Sequence, residues 1–178
     1  MQTVQYPGID VTKVDTSPEF RLGTVATVPI SFSDVGSDGS TAKTHYGFTT
    51  VRYVKAGAAL AAASVYFIDV DNVAGKQAGS ASAVNHTNAT GKAIRLGIPI
   101  VAIASGSYGW VTVSDLCKVA VLASCVQFVP LYTSGTDGAV DDASSSQTLI
   151  AGLHILTTAS AAAQSKVGQI SGELRIGT

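Results

Sequence analysis

Lys92–Val113, KAIRLGIPIVAIASGSYGWVTV, is the stretch that decides the fold. Ile98, Ile100, Ala102 and Ala104 share one parity, and Pro99, Val101 and Ile103 share the other. Both parities are apolar, so the first arm reads as a strand buried on two faces. Trp110-Val111-Thr112-Val113 is aromatic and β-branched, which suits a pleated surface. The turn-rich residues Ser105–Gly109 between the arms predict a hairpin with a long loop. An isolated hairpin is only marginally stable in water, so further strands must cover this one.

Outward from the hairpin, the pattern repeats. Phe20–Ile30 alternates, with Phe20, Leu22, Thr24, Ala26 and Val28 on one face. Pro29 falls near the end of that strand, where a missing donor is tolerated. Further strands are expected at Phe48–Lys55, Ser64–Asp69, Val119–Leu122, Val126–Tyr132, Thr148–Thr158 and Ile170–Ile176. Ala56–Ala63 lacks a polar face and reads as a tight turn or a single helical turn. Ala159–Ser165 reads as one short helix, and Asp71–Gly91 as a long polar loop, either functional or disordered until packed. The expected fold is all-β: a small sandwich or barrel of about eight to ten short strands with an extended N-terminal arm. Residues 1–19 form that arm and 20–178 a single β-rich domain. Val4, Tyr6, Ile9, Val11 and Val14 are apolar but irregularly spaced, which fits an arm lying on a neighbour or a first edge strand.

A chain of 178 residues buries roughly 70% of its unfolded surface and needs no disulfide or metal to fold. Charged residues make up only 13%, well under the usual quarter or so. A surface this poor in charge points to one covered by self-association or by a large partner. The net charge is -1 and the lysines and arginines are scattered, which argues against nucleic acid. No apolar run approaches the length of a membrane-spanning helix. MQTVQYPGID has neither a charged n-region nor an apolar h-region, so it does not read as a signal peptide. Cys117 and Cys125 are expected as buried small hydrophobes, with a disulfide the lesser alternative.

Signatures of catalysis are missing. There is no GxGxxG, no GxxxxGK[ST] and no GxSxG. His45, His86 and His154 lie in separate segments, and nothing in their spacing asks for a metal. Asp69-Val70-Asp71-Asn72 matches only the first half of a calcium loop. Asp137, Asp141 and Asp142 read as turn formers through Asx-type hydrogen bonds. Glu19 and Glu173 are the only glutamates, and a carboxylate pair with Asp69 or Asp115 is the remaining acid/base arrangement. The expectation is therefore no catalytic residue, no metal and no cofactor.

The order of segments carries a resemblance. AIASGSYGWVTV (102–113) and LYTSGTDGAVDDAS (131–144) are its most telling pieces, within a layout that spans about Phe20 to Ser160. This layout resembles head decoration and head-fibre (capsid cement) proteins of tailed bacteriophages. The resemblance implies a virion structural protein, made in the host cytoplasm and placed on the capsid exterior. It implies a homotrimer whose partner is the major capsid protein, with neither nucleic acid nor membrane bound. The capsid contact is then expected in the arm, at Val4, Tyr6, Ile9, Val11 and Val14. The alternative is a host-recognition or carbohydrate-binding knob with Tyr108, Trp110 or the 71–91 loop at its outer tip. A small β-barrel hydrolase is the third reading.

Overall fold

The computed structural model describes residues 8–34, 42–74, 76–77, 80–81, 95–144 and 147–176. Among them are twelve strands and no helix. These are β1 (Val25–Asp34), β2 (Lys43–Ala56), β3 (Tyr66–Ile68), β4 (Val73–Ala74), β5 (Lys76–Gln77) and β6 (Ser80–Ala81). They continue with β7 (Arg95–Pro99), β8 (Tyr108–Val121), β9 (Leu131–Thr133), β10 (Val140–Asp141), β11 (Leu149–Ile155) and β12 (Gln164–Ile176). Ten of them form one mixed sheet; β5 and β6 pair only with each other. The all-β expectation is met.

The pairings close the sheet on itself twice. One ring runs β2–β4–β3–β7–β8 and back to β2. The other runs β8–β12–β11–β9–β10 and back to β8. β8 belongs to both. Its residues 108–115 pair with β2, and its residues 115–121 pair with β12. The changeover falls at Asp115, a non-glycine residue at φ 68°, just after a register shift opposite Thr50 and Val51. Such a bulge bends a strand and raises its twist, which lets one strand serve two rings.

Each ring has its own apolar core. Val54, Leu60, Tyr66, Ile68, Ile103 and Val111 fill the first. Cys117, Val119, Leu131, Ile150, Ile155 and Ile170 are among those filling the second. β3 and β7 stand between them: Phe67, Leu96 and Ile98 belong to the second core, while Tyr66 and Ile68 belong to the first. This explains why the sequence around β7 is apolar on both parities. Gly97 faces the first core at a point where a Cβ would lie 2.7 Å from both Ile68 and Val111, so no larger residue fits.

A third layer lies outside the second ring. β1 and β2 form a hairpin with ten register pairs, from Val25↔Arg52 to Asp34↔Lys43. Ile30 and Phe32 from its inner face pack on Leu116 and Val167. At the far end Asp34 meets Lys166 at 3.4 Å, with both side chains buried. The same carboxylate accepts the Val167 N–H at 3.0 Å.

Several boundaries differ from expectation for identifiable reasons. β7 stops at Pro99, which cannot continue a two-sided ladder. Residues beyond it form a loop pinned by reciprocal Leu60–Ile103 backbone bonds of 2.8 and 2.9 Å. β8 runs unbroken from Tyr108 to Val121, where the sequence suggested two strands, Trp110–Val113 and Val119–Leu122. Val126–Pro130 is a turn rather than a strand, with Ser124 and Phe128 at φ 62° and 59° on either side of its start. The helix expected at Ala159–Ser165 does not form. Gln164 already begins β12, and its side-chain amide donates to Ser160 Oγ at 2.7 Å within the preceding turn. Of the long polar loop, β4, β5 and β6 are seen, and residues 82–94 lie outside the described residues.

Candidate functional site

From Gly8 onward the N-terminal segment is attached to its own domain. Val11 is buried with Val28, Val51, Tyr53 and Trp110, and Ile9, Phe20 and Leu22 pack against the same cluster. Asp15 and Tyr108 exchange backbone bonds of 2.9 and 2.8 Å. The Tyr53 hydroxyl donates to Asp15 at 2.9 Å and accepts the Glu19 N–H at 3.1 Å. Burial raises the Tyr53 phenol above its usual range, and its bond to Asp15 adds to this. Lys13 lies 3.1 Å from Asp15 and 2.7 Å from Glu19, an exposed arrangement that adds little stability.

This placement bears on each of the contact residues expected from sequence. Val4 and Tyr6 lie outside the described residues. Ile9 is half-buried, and Val14, at 37% exposure, is the most open of the described three. Val11, at 4% exposure, is held by its own core and has no surface to offer a neighbour. Trp110 is likewise not at an outer tip. It is 2% exposed, with ring centroids 5.0 Å from Tyr53 and 5.2 Å from Phe20. Tyr108 is half-buried, stacked on Tyr53 at 6.3 Å and covered by the Lys55 ammonium at 5.8 Å. The apolar arm and the aromatic hairpin therefore satisfy each other.

The polar clusters are also engaged internally. Asp69 accepts the N–H groups of Asp71 and Val73 at 3.0 and 2.8 Å, which is Asx-turn chemistry. Asp142 accepts from the Val126 N–H at 3.0 Å, and Asp141 from the Asp142 N–H at 2.9 Å. These two carboxylates lie beside Cys125, with the three potential ligand atoms within 4.8 Å of one another. His154 rests beside the Phe128 ring at 6.1 Å; His86 lies outside the described residues.

Cys117 and Cys125 are free thiols with no exposed surface. Burial pushes both up from 9.0 to about 12, and the Asp142 and Asp141 charges add to the effect at Cys125. Neither should react with a maleimide at neutral pH unless the protein is first unfolded. Between pH 9.0 and about 12 the folded chain holds protons that the unfolded chain releases. The stability present below that window is thus lost as pH rises through it. Urea midpoints measured at pH 8 and pH 10 check the sign.

Among the described residues, Val70 and Phe128 are left exposed singly, and the outer face of the β1–β2 hairpin exposes two aromatics side by side. Tyr46 is 82% exposed and Phe48 59%, with the half-buried Pro29 opposite Phe48 and Ser31 opposite Tyr46. Around them stand Thr27, Thr50, Ser33 and Thr44, joined in cross-strand hydroxyl pairs of 3.0 and 3.1 Å. No charged side chain interrupts this face from Thr27 to Ser33 or from Thr44 to Thr50. Sequence reading began the second strand at Phe48 and so missed it. The signal was present: Thr44, Tyr46, Phe48 and Thr50 share a parity opposite to the inward Val51 and Tyr53.

The class defined by this architecture is all-β, two closed strand rings with a covering hairpin. No family model matches the chain, and no curated protein matches it in sequence.

Proposed function

We propose that this chain is a virion structural protein that decorates and stabilises the outside of a bacteriophage capsid as a trimer. The observation that carries the reading is the uncharged hairpin face with Tyr46 and Phe48 exposed. A chain with 13% charged residues that also presents two aromatics on a rigid face suits occupation by other protein. The resemblance of 102–113 and 131–144 to head decoration proteins supplies the partner, the major capsid protein. A ligand that binds the assembled shell and not its free subunits stabilises the shell by mass action, and a trimer gains avidity by spanning several subunits. For a glycan-binding knob, the alternative reading, Trp110 is unsuited by its burial, which leaves the half-buried Tyr108 and the 71–91 loop as its candidate contacts.

The test is cosedimentation with shells assembled from the major capsid protein encoded by the same genome. The full chain should pellet with the shells. Tyr46→Asp combined with Phe48→Asp should reduce binding at least about tenfold while leaving the melting temperature nearly unchanged, since both side chains are exposed. A chain beginning at Gly8 separates the contribution of Val4 and Tyr6 from that of the hairpin. Failure of the full chain to pellet would remove the capsid assignment.

A further inference from the structure

β1 is the one strand of the ten-stranded sheet with a sheet neighbour on a single side, among the described residues. The direction of its free peptide groups follows from the ladder. The Tyr53 N–H donates to the Thr24 carbonyl at 2.8 Å, so peptide groups of that parity point toward β2. In an antiparallel pair the alternate residues point away, which assigns Val25, Thr27, Pro29, Ser31 and Ser33 to the open edge. Three further contacts agree. The Ser33 carbonyl accepts from Lys118 Nζ at 3.3 Å rather than from β2. The close hydroxyl pairs Thr27–Thr50 and Ser33–Thr44 are those of non-hydrogen-bonded positions.

Proline sits at one of these outward positions. Pro29 removes a donor from the open edge without disturbing the ladder to β2, a device that blunts strand addition. Beyond Pro29 the edge is not blunted; it borders a groove. A cavity of about 600 Å³ lies there, between Ser31–Ser33 on one side and Ala62–Ala63 and Ile100 on the other. Thr44 and Tyr46 of β2, with Lys118, Ala120 and Ser165, also line it, so the groove adjoins the exposed hairpin face. Among the described residues of the lining, Lys118 is the only charged one, and it is positive.

We propose that this groove receives an extended peptide segment of a foreign protein chain, added as a strand to β1 at Ser31 and carrying a carboxylate opposite Lys118. Main-chain bonds to an edge supply affinity in such recognition, and flanking pockets supply selectivity. The small side chains of Ala62, Ala63, Ala120 and Ser165 leave room for a backbone, and the lone ammonium selects the sign of charge. A second copy of this chain is a poor occupant. Its own edge strand is half of a hairpin packed on its domain, and Pro29 removes one of its donors. The assignment is independent of whether the partner is a viral shell.

The test uses a capped pentapeptide of alternating threonine and valine with one glutamate. At millimolar peptide, amide shifts of the isotope-labelled protein should be confined to Ser31–Ser33 and Lys118–Ala120, and exchange of the Ser31 amide should slow. Ser31→Pro should abolish these changes and keep the fold, since the strand already accepts proline two residues earlier. A glutamine version of the peptide should bind about threefold more weakly, as expected for a partly exposed ion pair. If Ser31→Pro does not fold, Lys118→Glu carries the test: it should prefer a lysine peptide to the glutamate one. Absence of shifts at Ser31 and Ser33, or binding unchanged in the variants, would overturn the proposal. So would a fall in solution mass on Ser31→Pro, which would make the occupant a second copy.

Discussion

Asp34→Ala will cost the fold about 3–5 kcal/mol, because it removes the carboxylate that faces a fully buried lysine. Charges are costly to hold away from water, and the cost is recovered only when geometry and hydrogen bonds are good. Asp34 offers both, with one oxygen 3.4 Å from Lys166 Nζ and the other on the Val167 N–H at 3.0 Å. The loss should spread beyond the pair, since Asp34 is the last residue of the hairpin strand lying over Leu116 and Val167. In urea, the midpoint should fall without a change in slope. The double variant Asp34→Leu with Lys166→Met discriminates a structural pair from a functional one. Well-packed apolar replacements of buried pairs are often neutral, so most of the lost stability should return. A single variant that melts with the parent would show that the pair is dispensable.

Gly152→Ala should be nearly as damaging, by roughly 3 kcal/mol or more. Gly152 sits at φ 81°, where an L side chain is strained, and its Cβ would meet the Ser171 carbonyl oxygen at 2.5 Å. That oxygen is backbone and cannot swing aside. The register between β11 and β12 slips at this point, with Ala151 opposite Arg175 but Leu153 opposite Ile170. The glycine therefore lets β11 pass a bulge of its partner within the second ring. For a chain of this size the melting temperature should drop by about 6–12 °C. Gly172→Ala is the matched control: φ is 86° but the space is open, so only the conformational part of the penalty should appear.

The fold class was readable because its cause is local. Apolar residues on both parities around Ile98 demanded a strand with a core on each side, and β7 has one on each side. Alternation likewise located β2, β11 and the end of β12. The failures have the opposite cause. Whether Asp115 interrupts a strand or bends it depends on two rings needing the same strand, which no window of sequence contains. Ala159–Ser165 had helical composition but no amphipathic face, and pairing of Gln164 with Val121 decided its conformation. The arm was legible as apolar and irregular, yet its acceptor, the Tyr53–Trp110 cluster, is assembled from distant strands. The buried lysine carried no signal at all, since nothing near Lys166 in the sequence shows that Asp34, from the far end of β1, is brought over it.

The shared strand β8 also imposes an order on synthesis. Every strand of the first ring lies before residue 122, so that ring can close while the rest of the chain is still being made. The second waits for β12. Until it arrives, the half of β8 beyond Asp115 is an unsatisfied edge projecting from an already finished barrel, waiting as a template for β12.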